Sequence, residues 1–140
     1  MGEVRVKVKL TNAGDEFNAR RNFIPSDKIR YYEGEAVVDT GAVRSCIPND
    51  ILEILGIQVL KKQNVVYANC LGESIGLTES IKFDIMDRET IDEALVLGDV
   101  ILIGQTVLEK MDLLVDRNNR AVIPNPKHPD GPVTMVRFMK

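Results

Sequence analysis

Ala36-Val37-Val38-Asp39-Thr40-Gly41-Ala42 runs from apolar β-formers straight into a carboxylate crowded by small residues. Such a strand followed by Asp-Thr-Gly puts the Asp at the strand end, where the chain turns sharply and other groups can approach the backbone closely. Taken alone, the same residues also fit a turn in which Asp39 caps its own backbone. A second stretch, Val100-Ile101-Leu102-Ile103-Gly104, is an apolar run that ends in glycine and leads into Gln105 to Met111, where the pattern predicts a short helix.

Outward from these two stretches the chain reads as a succession of short strands. Val4, Val6, Val8 and Leu10 alternate with Arg5, Lys7 and Lys9, the period of a strand with one face on a core. From Thr11 to Tyr32 the alternation is lost among Asn, Gly, Arg-Arg and Pro-Ser-Asp, which predicts an exposed loop or irregular hairpin, long enough to be an insertion. Ile47 to Gly56 has Pro and acid at the front and Gly just past the end, which predicts a short helix. Leu52 with Leu55, and Leu108 with Met111, have helical spacing and read as core contacts. Between Ser74 and Ile85 the apolar residues fall on odd positions, giving one long strand or two joined by a bend, and Ala94 to Leu97 is a short apolar run. Leu113 to Val115 and Arg120 to Ile123 read as a hairpin turning through Arg117-Asn118-Asn119. Many short strands with one or two short helices predict a mostly β, closed or sandwich-like domain.

The length of 140 residues fits one domain spanning residues 1–140. With 44% hydrophobic and 28% charged residues the composition is that of an ordinary globular chain. A balance of 18 basic against 21 acidic side chains is too even for a nucleic-acid binder held by phosphate contacts, so no nucleic acid is expected. The apolar runs fall far short of the ~20 residues that cross a bilayer, so no membrane is expected either. Met1-Gly2-Glu3-Val4-Arg5-Val6-Lys7 alternates charge with valine where a secretory signal needs an unbroken apolar core, and no C-terminal lipidation box is seen. A cytoplasmic location is the expectation. Cys46 and Cys70 are too few for a disulfide framework or a four-ligand zinc site and are expected to be buried or half-buried thiols. His128, the only histidine, sits between Lys127 and Pro129 and is expected in an exposed, Pro-rich turn. It has no companion ligands, and the chain carries no phosphate-cradling motif, so neither a metal nor a cofactor is expected.

Together the Asp39-Thr40-Gly41-Ala42 loop and the later Ile101-Leu102-Ile103-Gly104 segment resemble the retroviral-type, or retropepsin-like, aspartic proteases. The stretch Gly104 to Asp116, followed by Pro124-Asn125-Pro126 and His128-Pro129-Asp130, is similar to small bacterial members of that clan, and the resemblance covers about Ala36 to Val136. It implies a single-lobe, closed β-barrel in which Asp39 is the catalytic carboxylate. Thr40 would grip the opposite loop, Gly41 would let the substrate backbone approach, and Ala42 would keep the cleft floor low. Tyr67-Ala68-Asn69-Cys70-Leu71-Gly72-Glu73 would be the tip of a flap closing over bound peptide, with Asn69, Leu71 and Gly72, together with Ala42, Ile103 and Gly104, as substrate-binding residues. The chain departs from the retroviral pattern at Val43 and Gln105, where those enzymes usually carry an acid and an arginine that form an ion pair.

Aspartic protease chemistry needs two carboxylates sharing one proton: the ionised one activates water and the protonated one polarises the scissile carbonyl. This chain has one Asp-Thr-Gly triplet and is too short for two lobes, so the mechanism implies a symmetric homodimer with one Asp39 from each copy. The amphipathic ends Val4 to Leu10 and Val133 to Phe138 are candidates for pairing across it. A competing motif, Gly72-Glu73-Ser74-Ile75-Gly76, fits the G-x-S-x-G nucleophile elbow with His128 downstream, yet the elbow needs a helix after the serine where Leu77 to Ile85 alternates as a strand. Two functions therefore stand: a homodimeric aspartic endopeptidase acting on peptide or protein, and a catalytically silent dimer of the same fold that binds extended peptides by β-pairing.

Overall fold

Alternation of valine with charge at the N-terminus produces β1 (Val4–Asn12), in which Val8 and Leu10 are buried while Arg5, Lys7 and Lys9 point to solvent. The computed structural model describes residues 3–138. Met1 and Gly2, which open the N-terminal signal reading, and the last two residues of the expected 1–140 domain lie outside the described residues. Along its length β1 pairs antiparallel with β2 (Tyr31–Val38), from Val4 opposite Val38 to Thr11 opposite Tyr31. Val4 to Leu10 thus lies inside the chain's own sheet.

The segment from Thr11 to Tyr32 is not an irregular loop. It continues β1 to Asn12, forms helix α1 (Ala13–Arg20) and a 3-10 turn at Ser26–Lys28, and returns as β2. Asn12 caps α1 by accepting from the Asp15 N–H at 3.0 Å, and Asp15 and Glu16 lie in its first turn, where the helix dipole favours acids. The helix is anchored by a polar contact instead of an apolar stripe: the buried Asp15 carboxylate accepts from Arg30 N, Nε and Nη2 at 3.0, 2.9 and 3.0 Å.

After β2 come β3 (Cys46–Ile47), helix α2 (Asn49–Leu55), β4 (Val59–Val66), β5 (Gly72–Thr78), β6 (Ile81–Ile85) and β7 (Arg88–Asp92). The chain ends with β8 (Leu95–Val96), β9 (Ile101–Ile103), helix α3 (Gln105–Met111), β10 (Leu113–Asp116) and β11 (Ala121–Pro124). Gly56 closes α2 in the left-handed region, at φ 65°, and its missing side chain makes room for the Arg30 guanidinium. The expected run from Ser74 to Ile85 is two strands, broken at Glu79-Ser80, and Met86 and Asp87 turn β6 into β7 at positive φ.

Nine strands form one sheet in the order β4-β5-β8-β3-β9-β2-β1-β6-β7, and β10 and β11 form a separate ribbon. The architecture is mostly β with three helices, and the large sheet curls into a half-barrel with β4 and β7 at its edges. The closed barrel implied by the resemblance is not what the strand order gives. Leu10, Ile47, Leu52, Leu55, Phe83, Ile103, Leu108 and Met111 belong to one core inside the curl. Each such fully buried side chain contributes about 1.5–3 kcal/mol. Among the described residues no helix is long and apolar enough to cross a membrane.

Candidate active site

The site is built where β2 and β9 run parallel, with Val38 opposite Ile103. The pairing continues one step beyond the strand, as Asp39 N–H donates to the Ile103 carbonyl at 2.9 Å. The chain then turns through Thr40 and Gly41, with Ala42 N–H donating to the Asp39 carbonyl at 3.2 Å. Asp39 is exposed, and its Oδ1 accepts from Gly41 N–H at 2.9 Å, the local capping turn that the sequence allowed. Its other oxygen faces no second carboxylate partner among the hydrogen bonds of the described residues.

Gly104 holds this loop from below. A Cβ there would lie 2.5 Å from the Arg44 carbonyl carbon, 2.6 Å from its oxygen and 2.9 Å from Ser45 N, so the two backbones cross with no room for a side chain. Ser45, fully buried, accepts from Gly104 N–H at 2.9 Å through its hydroxyl, and its carbonyl accepts from Leu95 N–H at 2.9 Å. Sequence reasoning passed over Ser45, whose only signal is a small hydroxyl residue just after the Asp loop. Helix α3 has no side-chain cap, and loop carbonyls satisfy its first N–H groups instead: Gln105 N–H donates to Ala42 at 2.8 Å and Thr106 N–H to Val43 at 3.0 Å. Backbone bonds thus join the Asp39 loop to the start of α3, where the Val43 and Gln105 side chains carry no charge.

Of the residues named for catalysis, Asp39, Thr40 and Gly41 are exposed together on this loop, with Ala42 half-buried beside them. Ile103 is fully buried and Gly104 is buried, and both lie beneath the loop. Asn69, Leu71 and Gly72 lie apart from these, exposed at the end of the β4–β5 hairpin. The turn there is closed by Tyr67 N–H to the Leu71 carbonyl and Cys70 N–H to the Tyr67 carbonyl, each 2.9 Å, and by Leu71 N–H to Asn69 Oδ1 at 3.1 Å. Val66 and Leu71 are 72% and 65% exposed, so the tip presents apolar surface with nothing packed on it.

The hairpin root packs as a small second cluster of Ile75, Leu77 and Leu95, with Cys46, Val65 and Leu97 against it. Cys46 links this root to the loop: burial pushes its thiol pKa up, and the neighbouring Asp39 charge adds to the shift. The Tyr67 hydroxyl is also raised, by desolvation and by Glu73, whose carboxylate accepts from it at 3.4 Å. Cys70 is exposed at the hairpin tip, contrary to the expectation of a buried or half-buried thiol, while Cys46 is half-buried.

Gly72 to Gly76 lies inside β5, with Ser74 paired to Asn64 and no helix following, which removes the strand-turn-helix context of a nucleophile elbow. His128 is half-buried, not exposed, because its Nδ1 pairs with the Asp112 carboxylate. Asn125 and His128 hold the Asp112 carboxyl below the usual carboxylate range, so this cluster organises the C-terminal turn. In comparisons with known proteins, the chain matches no family model, and no curated protein shows significant similarity to it.

Proposed function

We propose that the chain is one lobe of a homodimeric, retropepsin-like aspartic endopeptidase, in which water is activated between two Asp39 carboxylates, one per chain. The observation that carries this reading is the Asp39-Thr40-Gly41 turn, held against Ile103-Gly104 by backbone bonds from below while its carboxylate is exposed above, with Oδ1 accepting from Gly41 N–H. A structural turn residue needs no such support, whereas a catalytic group must be held rigidly in its productive geometry. The β4–β5 hairpin, rooted beside Cys46 and ending in an exposed apolar tip, supplies the flap, and an extended peptide lies between that tip and Ala42. In the dimer the two carboxylates share one proton. The ionised one removes a proton from water as it attacks the peptide carbonyl, and the protonated one donates to the carbonyl oxygen. Thr40, an exposed residue, then bonds across the two-fold axis to the partner loop.

The test is Asp39→Asn. Asn keeps the oxygen that accepts from Gly41 N–H, so the fold and dimer should persist while cleavage of a diverse peptide library between about pH 3 and 7 falls by at least roughly 10²–10⁴. Wild-type cleavage should follow a bell-shaped pH profile. A wild-type dimer that binds library peptides without cutting them would leave the silent peptide-binding reading in its place, and an Asn variant as active as wild type would make Asp39 a turn residue only.

A further inference from the structure

Beside the Asp39 loop lies a cleft of about 540 Å³. Half-buried Val38, Leu102 and Val115 give it an apolar lining, and exposed Asp39, Arg117 and Arg120 give it charge. The two arginines come from the turn of the β10–β11 ribbon. That turn is fixed by Asp116, which accepts from the Asn118 and Asn119 N–H groups at 3.1 and 3.2 Å and from Asn119 Nδ2 at 2.8 Å. Neither arginine makes an ion pair among the described residues. Glu3 also lines the cleft, but its Oε2 already accepts from Arg5 Nη2 at 2.7 Å and from Arg5 Nε at 3.1 Å.

We infer that Arg117 and Arg120 select a carboxylate on the bound peptide, so that the site takes acidic peptides. The inference rests on the proposed peptide-cleaving reading and names the substrate class for it. Three observations carry it. Asp39 and the two arginines line one cleft, so a peptide held at Asp39 lies within reach of both guanidinia. Of the charged groups in that cleft, Glu3 is matched by Arg5 and Asp39 is taken up by water and the carbonyl in the proposed chemistry, so the charge left without a counter-ion is positive. A guanidinium presents paired N–H groups that fit a carboxylate, while the apolar lining beside it suits the methylenes of a glutamate stem. Because the turn beneath both arginines is already fixed, little backbone ordering is needed when they pair.

The experiment uses acetylated, amidated peptides that differ only by Glu or Gln at one position, scanned along a neutral sequence. Two readouts are taken on the full chain: cleavage by the wild type, and binding to the Asp39→Asn chain by fluorescence anisotropy. At one position Glu should be favoured over Gln by about tenfold in affinity, and the preference should shrink as salt rises. Arg117→Gln with Arg120→Gln should bring Glu level with Gln, and Arg117→Glu with Arg120→Glu should favour Lys there instead. A parallel set without Glu but with free C-termini separates the two sources of a carboxylate: tighter binding than the amidated forms, lost in the same variants, places it at the chain end. No preference for a carboxylate in either set, a preference that survives Arg117→Gln with Arg120→Gln, or no peptide binding at all would each overturn the inference. The protease reading is judged apart. Acidic peptides bound through the two arginines but never cut keep the selection and discard the activity, whereas peptides cut without regard to charge keep the activity and discard the selection.

Discussion

Replacing Gly104 by alanine sets a methyl group against backbone atoms that cannot turn away. The nearest are 2.5, 2.6 and 2.9 Å off, where carbon atoms in good contact sit about 3.5–4.0 Å apart, so α3 and the Arg44–Ser45 segment must separate by roughly an ångström. Overpacking of this kind costs about 1–3 kcal/mol. The movement also stretches the bonds from Gly104 N–H to Ser45 Oγ, from Gln105 N–H to the Ala42 carbonyl and from Thr106 N–H to the Val43 carbonyl, each worth about 0.5–1.5 kcal/mol. Against this, alanine restricts the unfolded chain and returns about 0.4–1 kcal/mol, because Gly104 sits at φ −94°, which alanine adopts freely. The bonds are stretched and not all lost, so the net expectation is a loss of at least about 2 kcal/mol, or a melting temperature lower by at least about 6 °C for a chain of this length. Urea and thermal unfolding measure it, with Gly72→Ala as the control. A Cβ at Gly72 meets only Val65 O at 3.6 Å, an ordinary contact, so that variant should stay within about 0.5 kcal/mol of wild type. Gly104→Ala within the same margin would show that the crossing beneath Asp39 is not tight, and the account of how the loop is held would fail.

Two further outcomes are expected. Asp15→Asn should cost about 1–3 kcal/mol at neutral pH, because it weakens the charged bonds from Arg30 to a buried carboxylate. The Arg30 guanidinium lowers the Asp15 carboxyl pKa in the folded chain, so its stabilisation is complete above the unfolded value near 4 and is lost as pH falls through the lower folded value; the gap between wild type and variant, followed by urea unfolding at several pH values, should therefore close in acid. A gap that stays constant down to about pH 2 would assign the cost to packing instead. For the flap, amide hydrogen exchange should open Tyr67 to Gly76 sooner than Val38 or Leu102, since β4 is a sheet edge and the tip carries exposed Val66 and Leu71; equal protection would refute a mobile flap.

The elements legible in the sequence are those whose side chains see the core directly. Alternation in β1, the Pro48 and Gly56 brackets of α2, and the Asn-rich turn between β10 and β11 all state their geometry in local residues. Helix α1 escaped because its buried residue is Asp15, so a search for apolar periodicity finds nothing even though Asn12 and two acids mark its start. Strand β4 escaped because it is an edge: Lys61, Lys62 and Asn64 are exposed along it, and an edge strand need not alternate. Ser45 and the half-buried state of His128 depend on partners far along the chain, Gly104 and Asp112, and no local pattern announces such contacts.

Backbone bonds, with no ion pair between Val43 and Gln105, account for the order of the Asp39 loop. In the single chain the loop is already tied by bonds from Asp39, Gln105 and Thr106 N–H groups to carbonyls across the crossing, none of which needs a second protomer. In the proposed dimer, association would not have to order the loop, and its cost would be confined to lost overall motion and to the exposed side chains that meet. The last step of approach is opposed, because two carboxylates brought within a few Å cannot both stay ionised. In the proposed enzyme one shared proton removes that opposition, and it is the same proton the proposed chemistry uses.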